Sequence, residues 1–274
     1  MLAAAVALPA TAQAAPAKKL YVNLGDSYAT GVQDRGATKQ GYADQLLKPA
    51  RKRGWNLKLV NFGCGGATST SILEAKGCSG PAPGGAKYGG RTQIAAAERF
   101  LRRNRGDVAL ITVSIGGNDV TSCVRQPDPV ACVGPAVETT EKNVRTLTKR
   151  LRKAAGKKVR IVGLTYPDVI LGEWVRGNQP LAQLSIVAFK EIINPALKRA
   201  YASAGGKFVD VTAATGAYGP FEETRTLAPY DVIPAPVAAI CELTFYCETQ
   251  NIHARKSGYK LMADLIAASL PRRG

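Results

Sequence analysis

The stretch Val108-Ala-Leu-Ile-Thr-Val-Ser-Ile115, closed off by Gly116-Gly117, constrains this chain more than any other. A strand with one face in water alternates apolar and polar residues. A near-continuous apolar run rich in β-branched residues is buried on both faces, as in a parallel sheet covered by helices. Similar runs at 20–24, 57–62, 159–164 and 208–211 read as further strands. Between them, apolar residues at helical spacing predict helices over 42–52, 92–104, 137–153, 181–204 and 257–270, with Pro195 a kink. Strands separated by helices imply crossover connections. The expected architecture is α/β: a three-layer α/β/α sandwich around a central parallel sheet of about five strands. In such folds ligands bind beyond the carboxyl ends of the strands, so the residues just after each strand are where chemistry belongs.

Residues 1–16 read as a signal peptide, truncated at its charged end. Met1 to Ala10 is small and apolar, Ala12-Gln13-Ala14 is a small-x-small cleavage pattern, and no Lys or Arg precedes the apolar stretch. An unstructured terminus is the competing reading. Residues 17–274 are then one domain, and the 46% apolar content suffices for its core. Six cysteines fit an exported protein. They fall into three local couples, and the simplest of the 15 possible pairings is Cys64–Cys78, Cys123–Cys132 and Cys241–Cys247. Metal binding is the alternative, weakened by the absence of any C-x-x-C and by a single histidine.

The formal charge of +17 raises nucleic acid as a partner. The basic clusters at 51–53, 99–105 and 149–160 carry no interleaved aromatics and sit on amphipathic stretches. They read as solvated faces, or as attraction to an anionic envelope or lipid surface, and not as a nucleic-acid site.

Taken in order, the strand ends bear Gly25-Asp26-Ser27, then Gly63, Gly65 and Gly66, then Gly116-Gly117-Asn118-Asp119. The only histidine, His253, lies just before the last helix. Ser27 is a candidate nucleophile on a sharp turn, although Gly-Asp-Ser taken alone reads first as a plain turn. It is not the α/β-hydrolase elbow, because Ala29 stands where that motif has glycine. Gly66, through its backbone N–H, and Asn118, through its side-chain amide, are candidate donors to an oxyanion. His253 is a candidate general base.

These four segments, in this order, resemble the SGNH hydrolases, also called GDSL esterases, and with the clustered cysteines their secreted actinobacterial branch. Leu24-Gly25-Asp26-Ser27 is similar to the first family block, Gly65-Gly66-Ala67-Thr68 to the second, Ile115-Gly116-Gly117-Asn118-Asp119 to the third, and Ile252-His253 with Gly258-Tyr259 to the last. The resemblance spans about 20–270. It implies a flavodoxin-like sheet and an acyl-enzyme on Ser27. His253 would be the base, and Ser27, Gly66 and Asn118 would form the oxyanion hole, with no metal or organic cofactor.

One position departs from the pattern. Three residues before the histidine the family has Asp, and here stands Gln250. The resemblance then implies a Ser27–His253 dyad whose ring is oriented by the backbone carbonyl of Gln250, with Glu248 as the competing candidate. The expected protein is a secreted, monomeric carboxylic ester hydrolase acting on lipid or acylated small-molecule esters. A carbohydrate acetylesterase on envelope polysaccharide, or a non-catalytic envelope-binding module, stays open beside it. The apolar stretches 169–175, containing Trp174, and 220–240 line an acyl pocket or simply pack their loops.

Overall fold

The structure is a computed structural model that describes residues 17–273. The signal-peptide reading of 1–16 lies outside the described residues. Five parallel strands form the central sheet: β1 (Lys19–Gly25), β2 (Leu57–Asn61), β3 (Val108–Ser114), β4 (Arg160–Leu164) and β5 (Lys207–Val209). Their spatial order is β2-β1-β3-β4-β5. Chain order reverses between β1 and β3, which pair from Leu20↔Val108 to Gly25↔Ser114. That is the topological switch point, where the loops leaving two neighbouring strands diverge and open a crevice.

The alternation of side chains across the pleat builds the three layers. On β3, Ile111 and Val113 face one core with Val22 and Leu24 of β1. Leu110 faces the other, with Tyr21. The first core is covered by α2 (Gln93–Arg103), α3 (Pro129–Ala155) and α4 (Asn194–Ala202), through Ile94, Leu101, Leu147, Leu151 and Leu197. The second is covered by two short helices, Tyr42–Gln45 and Leu47–Arg51, and by α5 (Lys256–Ser269), through Leu46, Tyr259, Met262 and Ile266. All eight residues from Val108 to Ile115 are buried, as expected of a strand between two helical layers. The basic clusters are partly structural. Arg150 forms a two-point pair with Glu98 at 2.9 and 2.8 Å, and Arg53 donates to the carbonyl of Leu270 at the end of α5.

Three elements differ from the sequence reading. Helix α3 starts at Pro129 and not near 137, because Asp128 caps it by accepting from the Ala131 N–H at 2.9 Å and proline is well placed in a first turn. The long helix expected over 181–204 is split. An α-helical piece, Gln179–Val187, passes into a π-helical piece, Ala188–Ile193, before α4. Pro195 has no N–H to continue the i→i−4 ladder, and the turn before it widens. The apolar stretch 220–240 holds a hairpin, Thr224–Thr226 with Val232–Pro234, and the start of a helix, Ala235–Leu243. That helix is buried on several sides through Val237, Ala238 and Ile240, so it carries no one-sided apolar stripe to read. Disulfides join Cys64–Cys78, Cys123–Cys132 and Cys241–Cys247, each across a short loop. Such bridges persist in oxidising compartments. No helix among the described residues is long and apolar enough to cross a membrane.

Candidate active site

At the end of β1 the chain reverses sharply into a single helical turn, α1 (Ser27–Thr30). Gly25 makes the reversal with φ +135, and a Cβ there would lie 2.0 Å from the Ser114 carbonyl oxygen, so no other residue fits. Gln93, buried at the start of α2, clamps the Gly25 peptide from both sides. Its Oε1 accepts from Gly25 N–H at 2.8 Å and its Nε2 donates to Gly25 O at 3.0 Å. Asp26 caps α1, its Oδ1 accepting from the Tyr28 N–H at 3.0 Å and its Oδ2 from the Tyr166 hydroxyl at 2.6 Å. Burial lifts the Asp26 carboxyl to about 7, against the pull of these donors. Below the turn lies a buried polar network. Asn23 Oδ1 accepts from Tyr42 and Thr112, both at 2.7 Å, and Asn23 Nδ2 donates to Ala29 O at 2.9 Å. A fully satisfied buried network of this kind rigidifies what it supports. Ser27 is held at the start of α1, facing the switch-point crevice.

The loops leaving β2 and β3 meet beside it. Gly66 sits in the turn formed by residues 64–67 with φ +75, and a Cβ there would meet nothing within 4 Å. The turn is tied to the nucleophile segment by a hydrogen bond from Cys64 N–H to Gly25 O at 2.9 Å. Asn118 stands in the short helix Gly117–Thr121 and donates one amide hydrogen to Ala67 O at 2.8 Å. An amide carries two such hydrogens, so the second remains for another acceptor. Asp119 welds the same two loops, accepting from the Ser69 N–H at 2.9 Å and from the Ser69 hydroxyl at 2.6 Å.

His253 lies on a short strand, Asn251–Ala254, paired antiparallel with Thr244–Phe245. The Tyr28 hydroxyl donates to the Ile252 carbonyl at 2.5 Å, joining the serine turn to the histidine strand. The Tyr28 and His253 rings are 6.1 Å apart. Burial lowers the imidazole to about 4, so the ring is neutral at pH 7. Its Nδ1 lies 2.6 Å from Asn251 Oδ1. The hydrogen bond expected from the Gln250 carbonyl is therefore made by Asn251. The reason is local. Gln250 closes the helix Tyr246–Thr249 in the left-handed conformation, φ +57, while Asn251 folds its side chain back over its own strand and also accepts from the His253 N–H at 3.0 Å. Glu248 pairs with Arg255 at 2.5 Å. Among the described residues Ser27 Oγ and His253 Nε2 make no hydrogen bond, and no cluster of three His, Cys, Asp or Glu could hold a metal ion.

From Ser27 and Asn118 an apolar groove runs between α3 and the segment 181–193. It is open to solvent at its mouth and is walled by Val133, Val137, Ile170, Leu181 and Leu197. Of the apolar stretch 169–175, Val169 and Ile170 line it, whereas Trp174 packs on Phe221 at 4.8 Å in a separate cluster. Gly66 lines a second, more polar hollow, with Ser71, Lys76 and Ser79 on its walls.

The sequence motifs marked Ser27, Gly66, Asn118 and His253 as candidates, and three supporting residues went unmarked. Gln93 lies inside a helix read for its apolar face, Asp119 looks like a turn residue, and Asn251 looks like a linker between two charged positions. Only an Asx pattern, Asn two residues before a histidine, could have pointed to Asn251.

A parallel sheet in the order 2-1-3-4-5, carrying serine, glycine, asparagine and histidine segments at one edge, defines the SGNH class of hydrolases. The profile of the GDSL-like Lipase/Acylhydrolase family matches residues 24–261, and the chain belongs to that family. It is similar in fold to a lipase/acylhydrolase from Enterococcus faecalis, at 15% identity and TM-score 0.51, over 93% of this chain and 100% of that one. It is also similar to an aryl esterase from M. smegmatis, at 11% identity and TM-score 0.46, over 92% and 97%. A carbohydrate acetylesterase from Sinorhizobium meliloti aligns at 11% identity and TM-score 0.45, over 92% and 100%. A search of curated proteins matches none. The protein is an ester hydrolase by family.

Proposed function

We propose that the protein is a secreted serine esterase that cleaves lipid esters through a Ser27 acyl-enzyme. The observation that carries this reading is the apolar groove that starts at Ser27 and Asn118. An acetyl group needs no such space, whereas an acyl chain gains about 0.8 kcal/mol for each methylene it buries.

In the proposed reaction Ser27 Oγ attacks the ester carbonyl carbon while His253 Nε2 takes the hydroxyl proton. Asn251 Oδ1 accepts from Nδ1–H, which leaves the lone pair on Nε2 as a base requires. The N–H groups of Ser27 and Gly66 and the free amide hydrogen of Asn118 receive the oxyanion. His253 returns the proton to the leaving alcohol, then takes one from water as the acyl-enzyme is hydrolysed. Ser27 and His253 are not yet hydrogen-bonded, a common looseness before substrate binds. Three disulfides support action outside the cell, and the +17 charge supports an anionic lipid surface as its setting.

An acetylated carbohydrate is the second reading. The polar hollow at Gly66 would suit a hydroxyl-rich alcohol portion. Both readings are tested by hydrolysis of p-nitrophenyl esters from acetate to palmitate, comparing the protein with Ser27→Ala. Ser27-dependent activity rising with chain length supports the lipid reading. Activity confined to acetate favours the carbohydrate ester. Silence on every ester, acetylated sugars included, leaves a binding module. Equal activity in the two proteins removes Ser27 as nucleophile.

A further inference from the structure

Five large apolar side chains stand exposed among the described residues: Val130 at 63%, Leu184 at 42%, Val187 at 52%, Ile192 at 42% and Val232 at 65%. Single exposed apolar residues need no explanation, but clustering does. Four of these five line the groove that begins at Ser27. They come from both banks: Val130 from the first turn of α3, and Leu184, Val187 and Ile192 from the segment facing it. Only Val232, on the distant hairpin, lies elsewhere.

We propose that this ring is the face by which the enzyme docks on a lipid surface, with the groove mouth pressed against the acyl layer. The inference rests on the lipid-ester reading and deepens it. The groove itself selects the occupant. Its walls are almost wholly apolar from the rim down to the Ser27 end, so whatever covers the rim must also feed an apolar chain inward. A folded protein surface offers no such chain, and a lipid aggregate offers many. The rim segment carries Lys190 beside Glu191, so its own charge nearly cancels. Contact at the rim is therefore apolar, with no charge pairing required of it.

The test uses the full protein as Ser27→Ala, so that lipid is bound but not cleaved. Its partition onto vesicles of equal parts phosphatidylcholine and phosphatidylglycerol is measured by cosedimentation at about 0.5 M NaCl, where exposed charges are largely screened. Adding Val130→Ser, Leu184→Ser and Val187→Ser should lower the partition about tenfold or more. An unchanged partition overturns the proposal, as does a parent that binds no vesicles. Should the triple variant not fold, as judged by its thermal melt, Val187→Trp gives an independent reading. Its fluorescence should shift to the blue on vesicles, and the lack of a shift overturns the proposal. Rim-dependent self-association in sedimentation velocity, without vesicle binding, assigns the face to a second copy of the chain and overturns it as well. Because binding is read on Ser27→Ala, failure of the catalytic reading shows separately, in the soluble-ester assay.

Discussion

The imidazole Nδ1 of His253 lies 2.6 Å from Oδ1 of Asn251, two residues upstream on the same strand. The contact sets the tautomer and holds the ring, yet places no negative charge beside it. A carboxylate in that place would stabilise the imidazolium, and a neutral amide does so less. This agrees with a ring held near 4 by burial, with no opposing charge.

Asn251→Ala should therefore lower kcat about tenfold or more with KM little changed, because the ring loses its orientation and not its substrate. Asn251→Asp should move the acid limb of kcat/KM upward by about one unit or more, since an adjacent anion favours the protonated ring. Glu248→Gln should leave activity nearly intact, its partner being Arg255. Steady-state kinetics against pH on the three variants reads all of these. A loss of about a hundredfold in Glu248→Gln alone would give the orienting role to that carboxylate.

The pH dependence of stability follows from the same ring. Its folded value is about 4, against 6.5 when unfolded, so between these the unfolded chain binds the proton that the folded chain refuses. The contribution of His253 is complete above about 6.5 and declines as pH falls toward 4. Thermal melts across this window should show the wild type losing stability relative to His253→Gln as the solution is acidified. In the native enzyme, the acid limb of kcat/KM should sit near 4 and not near 6.5. A limb at the higher value would mean that the ring is more solvated than its surroundings here imply.

Gln93 reaches 68 residues along the chain to hold both polar groups of the Gly25 peptide. In Gln93→Ala the Gly25 carbonyl keeps the Cys64 N–H, but the Gly25 N–H is left buried without an acceptor. The cost should be about 1–3 kcal/mol of stability, read by urea unfolding. In Gln93→Glu an acceptor would face the Gly25 carbonyl, so the conservative change should not rescue it.

On the proposed mechanism, Asn118→Ala removes one oxyanion donor together with the tie to Ala67. A loss in kcat of about a hundredfold to a thousandfold is expected, with KM nearly constant, because the donor acts on charge that develops only in the transition state. A change confined to KM would show that Asn118 binds the ground-state ester instead.

Local chemistry made much of this molecule readable from its residues. A short apolar run rich in β-branched residues and closed by glycines reads as a strand buried on both faces, and Val108–Ser114 is one, at the centre of a parallel sheet. Cysteines a few residues apart can bridge short loops without moving the rest of the chain, and all three local pairs are formed. The four motif segments follow strand ends or precede the last helix, so the α/β topology itself carries them to one edge. Other features depend on residues far apart in the chain or on the outcome of packing. Nothing in the spacing of Gln93 marks it as the clamp on Gly25. The choice of Asn251 over Gln250 turned on a left-handed residue closing a four-residue helix. The groove exists only because α3 and the split helical segment stand apart at the switch point, and its aliphatic residues look in the sequence like any other core. Period and spacing express forces acting within a few residues. Orientation of a ring, satisfaction of a buried peptide and the space between two helices are set by neighbours that the folded chain alone brings together.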